Sequence, residues 1–597
     1  MRYISMSVIL LLWLCCFALP ARGDETLRIA TFNVDATPPI GSPVAYALTR
    51  KIDDSLSARG IVLMGRDKPI VLCAVDWIGI SNSGHDQWRE ALARAAGTTR
   101  DRVALHALHQ HDGPRCDFAA AALLQQRGME TEHFDIPFAH QTIDRCVKAI
   151  QEAVAHARPV THLGVGKARV EKVASNRRIL GSDGRVRVMR WSSCTDPATI
   201  DEPEGLIDPW VRLLSFWEGD EAIAMLSYYA THPMSHYGQG DVSADFVGMA
   251  RSLCEAKYPG LTHIHFSGAG GNIAAGKYND GSEKMRPILA QRLADGMQRA
   301  WQSTVKTPIV GSDIRWRVKR VRLPIGRHLV EPDLLAILDD TNAEATKRLG
   351  AASHLAWLQR HNSGHETEIS CLDLGAASVL HLPGELFVEY QIAAQAFKPD
   401  SMVCMAAYGD YGPGYIGTEI SYAQGGYETS PGASRVAPQV EGVLMAAMKE
   451  LLDKGQETGQ QRLKELDAYW SEVSRCVNKG DFEGYRATCH PDGVLVAGTR
   501  SEAYPLAIAL MKWQQGFIDT KSGKIKASVS FRFSQRLGDE TTAHETGMFL
   551  YSTVNADGNT VRDYIHFEAL LIKKKDWKIM MEYQKSKATE EEWNKLK

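Results

Sequence analysis

Several familiar signatures are missing from this sequence. It has no CxxC pair, no HExxH motif, no G-x-S-x-G elbow and no glycine loop closed by Lys-Ser/Thr. The first absence excludes a zinc knuckle, and the second a zincin-type helix. The third disfavours a serine hydrolase of the nucleophile-elbow kind: Ser267 sits in "HFSGAG", where His265 holds the first glycine's place. The fourth disfavours nucleotide binding. There is no basic excess either, since the net charge is −3 over 597 residues, and this argues against a nucleic-acid partner. Past the first 23 residues no apolar run is long enough to cross a bilayer.

What is present is ordinary globular composition, 44% hydrophobic and 23% charged, in a chain long enough for more than one domain. The opening "MRYISMSVILLLWLCCFALPARG" combines Arg2, an apolar run to Leu19 and a small-x-small pattern at 21–23. It reads as a signal peptide over 1–23, so the expected location is secreted or periplasmic. Cys15 and Cys16 lack the small residues that precede a lipidated cysteine, which favours release over anchoring. Nine of the eleven cysteines follow, scattered and odd in number, and most are expected to be buried free thiols.

From 24 to 454 strand-like and helix-like stretches alternate, which predicts an α/β domain with mixed sheets. Residues 455–464 are polar, with glycines close by, and read as a linker. Residues 465–597 begin with helices and continue as long strands, an α+β arrangement.

The segment "ALHALHQHDGPRC" places His106, His109 and His111 at the end of an apolar strand. Strand alternation puts His109 and His111 on one face and His106 on the other. They form either a hydrogen-bonded pair of ordinary histidines or part of a metal site. A second strand ends in "YYATHPMSH", bringing His232. In "HLPGELFVEY", Glu385 is expected in the first turn of a helix, as a ligand or as a helix-start charge. The segment "YGDYGPGYIGTEISYAQGGYETS" is either a packed aromatic loop or part of the same site. Two histidines, a carboxylate and an open position make a common catalytic zinc shell.

Taken in order, these pieces resemble the neutral, non-lysosomal ceramidase family. "VDATPPIG" resembles its opening D-I-T-P-P-x-G, "LSARGIVL" its L-x-A-R-A, and "HALHQHDGP" its T-H-T-H-S-G-P. "ASNRRI" resembles I-N-R-S-P, and "YATHPMS" with "SADFVGMA" resembles the second histidine motif. "HLPGELF" resembles I-P-G-E-F, and the tyrosine-rich segment resembles Y-x-x-T-x-E-E-Y-x-x-Q-x-Y-E. The resemblance implies a zinc ion held by His109, His232, Glu385 and Tyr415. It implies His111, Arg177 and Tyr427 as catalytic residues. The expected reaction is attack of zinc-bound hydroxide on an amide, with Arg177, Tyr427 or His111 stabilising the oxyanion and His111 passing a proton to the leaving amine.

This sequence departs from the family where Asn272 replaces an aspartate and Ala274 a serine of its G-D-V-S-P turn. Asn272, Lys277 and Asn279 are the expected substrate-binding residues here, with plain turn chemistry as the alternative for "YNDG". The family's C-terminal β-sandwich is also missing, which points away from ceramide itself. The expected substrate is a small-molecule or lipid-like N-acyl compound. An ester or acylated carbohydrate, or a role in binding without catalysis, are the other readings. Residues 465–597 resemble the SnoaL-like, nuclear-transport-factor-like cone fold. Such domains often dimerise, so a homodimer through this region is expected.

Overall fold

The computed structural model describes residues 26–129, 133–538 and 541–596. The expected signal peptide lies outside them. The chain divides into two compact units, one ending at Leu452 and the other starting at Asp453. No helix among the described residues is long and apolar enough to cross a membrane.

The first unit contains three mixed sheets. The first runs in the order 158–160, 27–35, 57–64, 70–75, 103–107. The second runs 262–267, 221–229, 210–218, 162–169, 305–308, and the third 315–321, 367–373, 377–381, 402–406. Their strands are rich in Val, Ile and Leu, and the central ones are buried on both faces, as in "IVLCAV" at 70–75. Helices such as Asn82–Ala95, Ile136–Ala155 and Asp245–Lys257 turn their apolar stripes to the sheets.

Each sheet is mostly antiparallel but holds one parallel pair. These pair Val71 with Val103, Ala224 with Thr262, and Ala377 with Met402. The carboxyl ends of those six strands deliver the segments beginning at Asp76, Leu108, Ala230, Gly268, Leu382 and Ala407. Carboxyl ends of parallel strands are where α/β folds place ligands, and these segments carry the expected site residues except Arg177, which lies between the short strands Ser175–Asn176 and Arg178–Leu180.

Charge is also buried in this unit. Asp76 takes two hydrogen bonds from Arg251, at 2.9 and 2.7 Å, and two from Ser57. Burial opposes the Asp76 charge, but Arg251 outweighs it and holds the pKa down to about 2.

The second unit is an α+β domain. Six strands run in the order 502–505, 489–497, 577–587, 560–573, 542–555, 525–538, and bulges curve the long ones. Leu466, Trp470 and Val473, spaced along one helix face, pack with Phe567, Leu571 and Ile579 of the sheet. Residues 455–464, expected as a linker, lie within the helix Lys454–Lys479. Their polarity suggested coil, but Gln, Glu, Lys and Arg are good helix formers, and the stripe that follows is buried.

Candidate metal centre and active site

His109 does not lie on the strand. The strand ends at Ala107, and His109 has a φ of 76°, in the left-handed region. The shared face of His109 and His111 therefore comes from a turn, not from strand alternation. The two Nε2 atoms stand 3.2 Å apart. His106, on the strand proper, is buried away from them with Nδ1 on the Ala407 carbonyl at 2.7 Å. Burial drives its pKa down to about 3.

Glu385 is likewise not at a helix start. It lies on a two-residue strand paired in parallel with Tyr415–Ile416, and the helix begins three residues later, at Val388. That pairing sets Glu385 directly beside Tyr415. Gly271 makes it possible, because a Cβ there would lie 2.4 Å from the Glu385 carbonyl oxygen.

The four expected ligands converge. Glu385 Oε2 is 2.9 Å from His232 Nε2 and 3.2 Å from His109 Nε2. The Tyr415 hydroxyl is 3.2 Å from His232 Nε2. His109 Nδ1 donates to the Ile78 carbonyl at 2.6 Å, and His232 Nδ1 to the Gly270 carbonyl at 2.6 Å. A carbonyl only accepts, so each Nδ1 carries the proton and each neutral ring turns a lone pair inward. Two nitrogen lone pairs therefore face one carboxylate oxygen. Acceptors crowded like this need a cation between them, and two imidazoles with a carboxylate suit zinc. One nitrogen each of His109, His111 and His232 also lies within 4.8 Å of the others, so His111 is a further potential donor.

The electrostatics of His232 and His111 agree with neutral rings. Burial lowers the pKa of His232 and of His111. Burial first, then the Glu385 charge, pushes the Tyr411 and Tyr415 phenols up.

Arg177 donates to the Tyr415 hydroxyl at 3.1 Å and pairs with Glu428 at 3.3 Å. Its guanidinium lies over the rings of Trp191, Tyr415 and Tyr427. Tyr427 is half exposed, its ring 5.7 Å from that of Tyr415.

The three expected substrate-binding residues have polar groups hydrogen-bonded within the fold. Asn272 donates to Glu389 at 2.9 Å and accepts from the Val388 amide at 2.9 Å. Lys277 donates to the carbonyls of Ile200 and Glu202. Asn279 donates to the carbonyls of Ser192 and Ser235, at 2.8 and 2.9 Å. Turn chemistry is the better account of "YNDG".

Sequence reasoning missed Tyr46, Tyr411 and Glu428. The Tyr46 hydroxyl is 2.7 Å from His111 Nδ1, and Tyr411 donates to the Glu385 carboxylate. Tyr411 and Glu428 lie inside the tyrosine-rich segment and were within reach. Tyr46, in "PVAYALTR", carries no signal at all.

Residues 49–281 match the family model described as neutral/alkaline non-lysosomal ceramidase, N-terminal. Two solved structures share the fold. One, titled "Ceramidase complexed with C2", is 18% identical, with a TM-score of 0.53 over 72% of this chain and 75% of its own. The other is neutral ceramidase from Pseudomonas aeruginosa, 15% identical, with a TM-score of 0.53 over 95% of this chain and 100% of its own. A comparison with curated proteins finds no match. The first unit thus has the fold of ceramidase-family hydrolases, with a neutral/alkaline ceramidase-like N-terminal domain matched over 49–281.

Proposed function

We propose that this chain is an exported zinc-dependent hydrolase that cleaves an amide bond in a small or lipid-like N-acyl substrate. One observation carries the reading: inward-facing lone pairs of His109 and His232 meet a Glu385 carboxylate oxygen beside the Tyr415 hydroxyl. Export rests on the leader-like residues 1–23.

His109, His232, Glu385 and Tyr415 would hold the metal. Zinc bound there supplies an acidified water and a Lewis acid for the carbonyl. The carbonyls of Ile78 and Gly270 fix the two rings, and Tyr411 orients the carboxylate. Arg177, locked by Glu428, presents positive charge where the oxyanion develops, and Tyr427 adds a hydroxyl from the accessible side. His111, backed by Tyr46, carries the proton to the departing amine.

The test is elemental analysis of the purified full chain beside His232→Ala, followed by hydrolysis of matched N-acyl and O-acyl substrates. About one zinc per chain, lost in the variant, with faster N-acyl cleavage, is the expected result. No metal after incubation with zinc would overturn the reading. Faster ester cleavage would replace amidase with esterase.

A further inference from the structure

The second unit holds a half-open cavity of about 440 Å³. Aromatic rings make up much of its wall, among them Trp470, Tyr485, Trp513, Phe517, Phe531 and Phe567. The rings hold one another, with Trp470 and Phe531 centroids 4.4 Å apart and Tyr485 and Phe517 5.1 Å apart. Apolar lining left facing an unfilled recess forfeits dispersion contacts that an occupant would restore. An aromatic-walled space with few polar groups has the make-up of a small-molecule site.

Two acidic groups line the cavity: Asp563 is exposed, as is the cavity's one lysine, Lys512, while Glu582 stands among the rings. Glu582 lines the cavity, and its one hydrogen bond among the described residues comes from Gln584, two residues along the same strand, at 2.7 Å. That bond ties no two elements together, so Glu582 gives the fold nothing for its desolvation. Burial raises the carboxyl's pKa, and Gln584 offsets part of the rise. Most of its acceptor capacity is left for something else.

The helix Leu506–Lys521 keeps the space open. Trp513, Gly516, Phe517 and Thr520 share the face that lines the cavity. A Cβ at Gly516 would meet nothing within 4 Å. A larger side chain fits there without a backbone clash, yet the position is held by the residue with the smallest volume.

We infer that this cavity binds an apolar molecule bearing an amine, with the apolar body between the aromatic walls and the nitrogen donating to Glu582. A cationic nitrogen suits both the carboxylate and the faces of the surrounding rings. A carboxylate head on the same body is repelled by Glu582. This site is separate from the histidine cluster and does not depend on the hydrolase reading.

Isothermal titration of the full chain with dodecylamine and with dodecanoate, each below micelle formation, tests the inference. Dodecylamine is expected to bind one per chain, at least tenfold tighter than dodecanoate. Glu582→Gln, close to isosteric, should weaken the amine at least tenfold. Gly516→Phe should abolish binding without lowering the melting temperature. His232→Ala should bind dodecylamine as the native chain does. Equal affinity for the two heads, binding that survives Gly516→Phe, or binding lost only in His232→Ala would each overturn it. If Gly516→Phe fails to fold, the Glu582→Gln result and the comparison of heads still decide.

Discussion

His232 Nε2 and Glu385 Oε2 lie 2.9 Å apart although 153 residues separate them in the chain. Each is fixed from behind by backbone: the His232 ring by the Gly270 carbonyl, and Glu385 by its strand pairing with Tyr415. The geometry is built into the fold and does not await a ligand.

His232→Ala removes one of two inward lone pairs. Metal affinity and hydrolysis should both fall by at least about 100-fold, more than the loss of a group behind a ligand. Metal content by elemental analysis and initial rates with an N-acyl substrate check this.

Tyr46→Phe deletes the hydroxyl 2.7 Å from His111 Nδ1 and leaves the four proposed ligands untouched. Metal content should stay native while kcat falls about tenfold, a fraction of the 10²–10⁴ that general acid–base catalysis supplies. Loss of metal in this variant would count against a positioning role for Tyr46.

Asn279→Ala should destabilise the fold by about 2 kcal/mol, because two buried carbonyls lose their donor. KM should not change. A raised KM with unchanged denaturant midpoint would restore Asn279 to the substrate site.

Stability should fall in acid in two stages. Burial lowers the pKa of His85 to about 4 and that of His106 to about 3. Below about pH 6.5 the unfolded chain takes up these protons and the folded chain does not, so stability declines as pH falls towards those values. The slope is about 1.4 kcal/mol per pH unit for each ring. Asp76, with its pKa held at about 2, adds stability above the ordinary aspartate range that is lost as pH drops from about 4 through 2. Urea melts between pH 7 and 3 measure the first stage. Asp76→Asn at pH 7, which leaves Arg251 buried without its partner, should cost about 3–5 kcal/mol.

Particular residues show how far the sequence could be read. His109, His232, Glu385 and Tyr415 were legible together through the resemblance of their motifs to the ceramidase family, and His109 and His232 also through the apolar runs before them. Their local conformations were not. The left-handed turn at His109 and the two-residue strand at Glu385 are set by contacts with distant backbone, at Ile78 and Tyr415, which no local pattern records. For Asn272, Lys277 and Asn279 the sequence left two readings, because a polar side chain in a turn satisfies carbonyls as readily as ligands. The stretch 455–464 was read as a linker from its polarity, which a helix of Gln, Glu, Lys and Arg shares with a coil.

The cysteines bear on the export proposed above. All nine among the described residues are free, and eight are buried, with only Cys194 partly exposed. Among the described residues, no disulfide is present to be broken when the surroundings turn from oxidising to reducing.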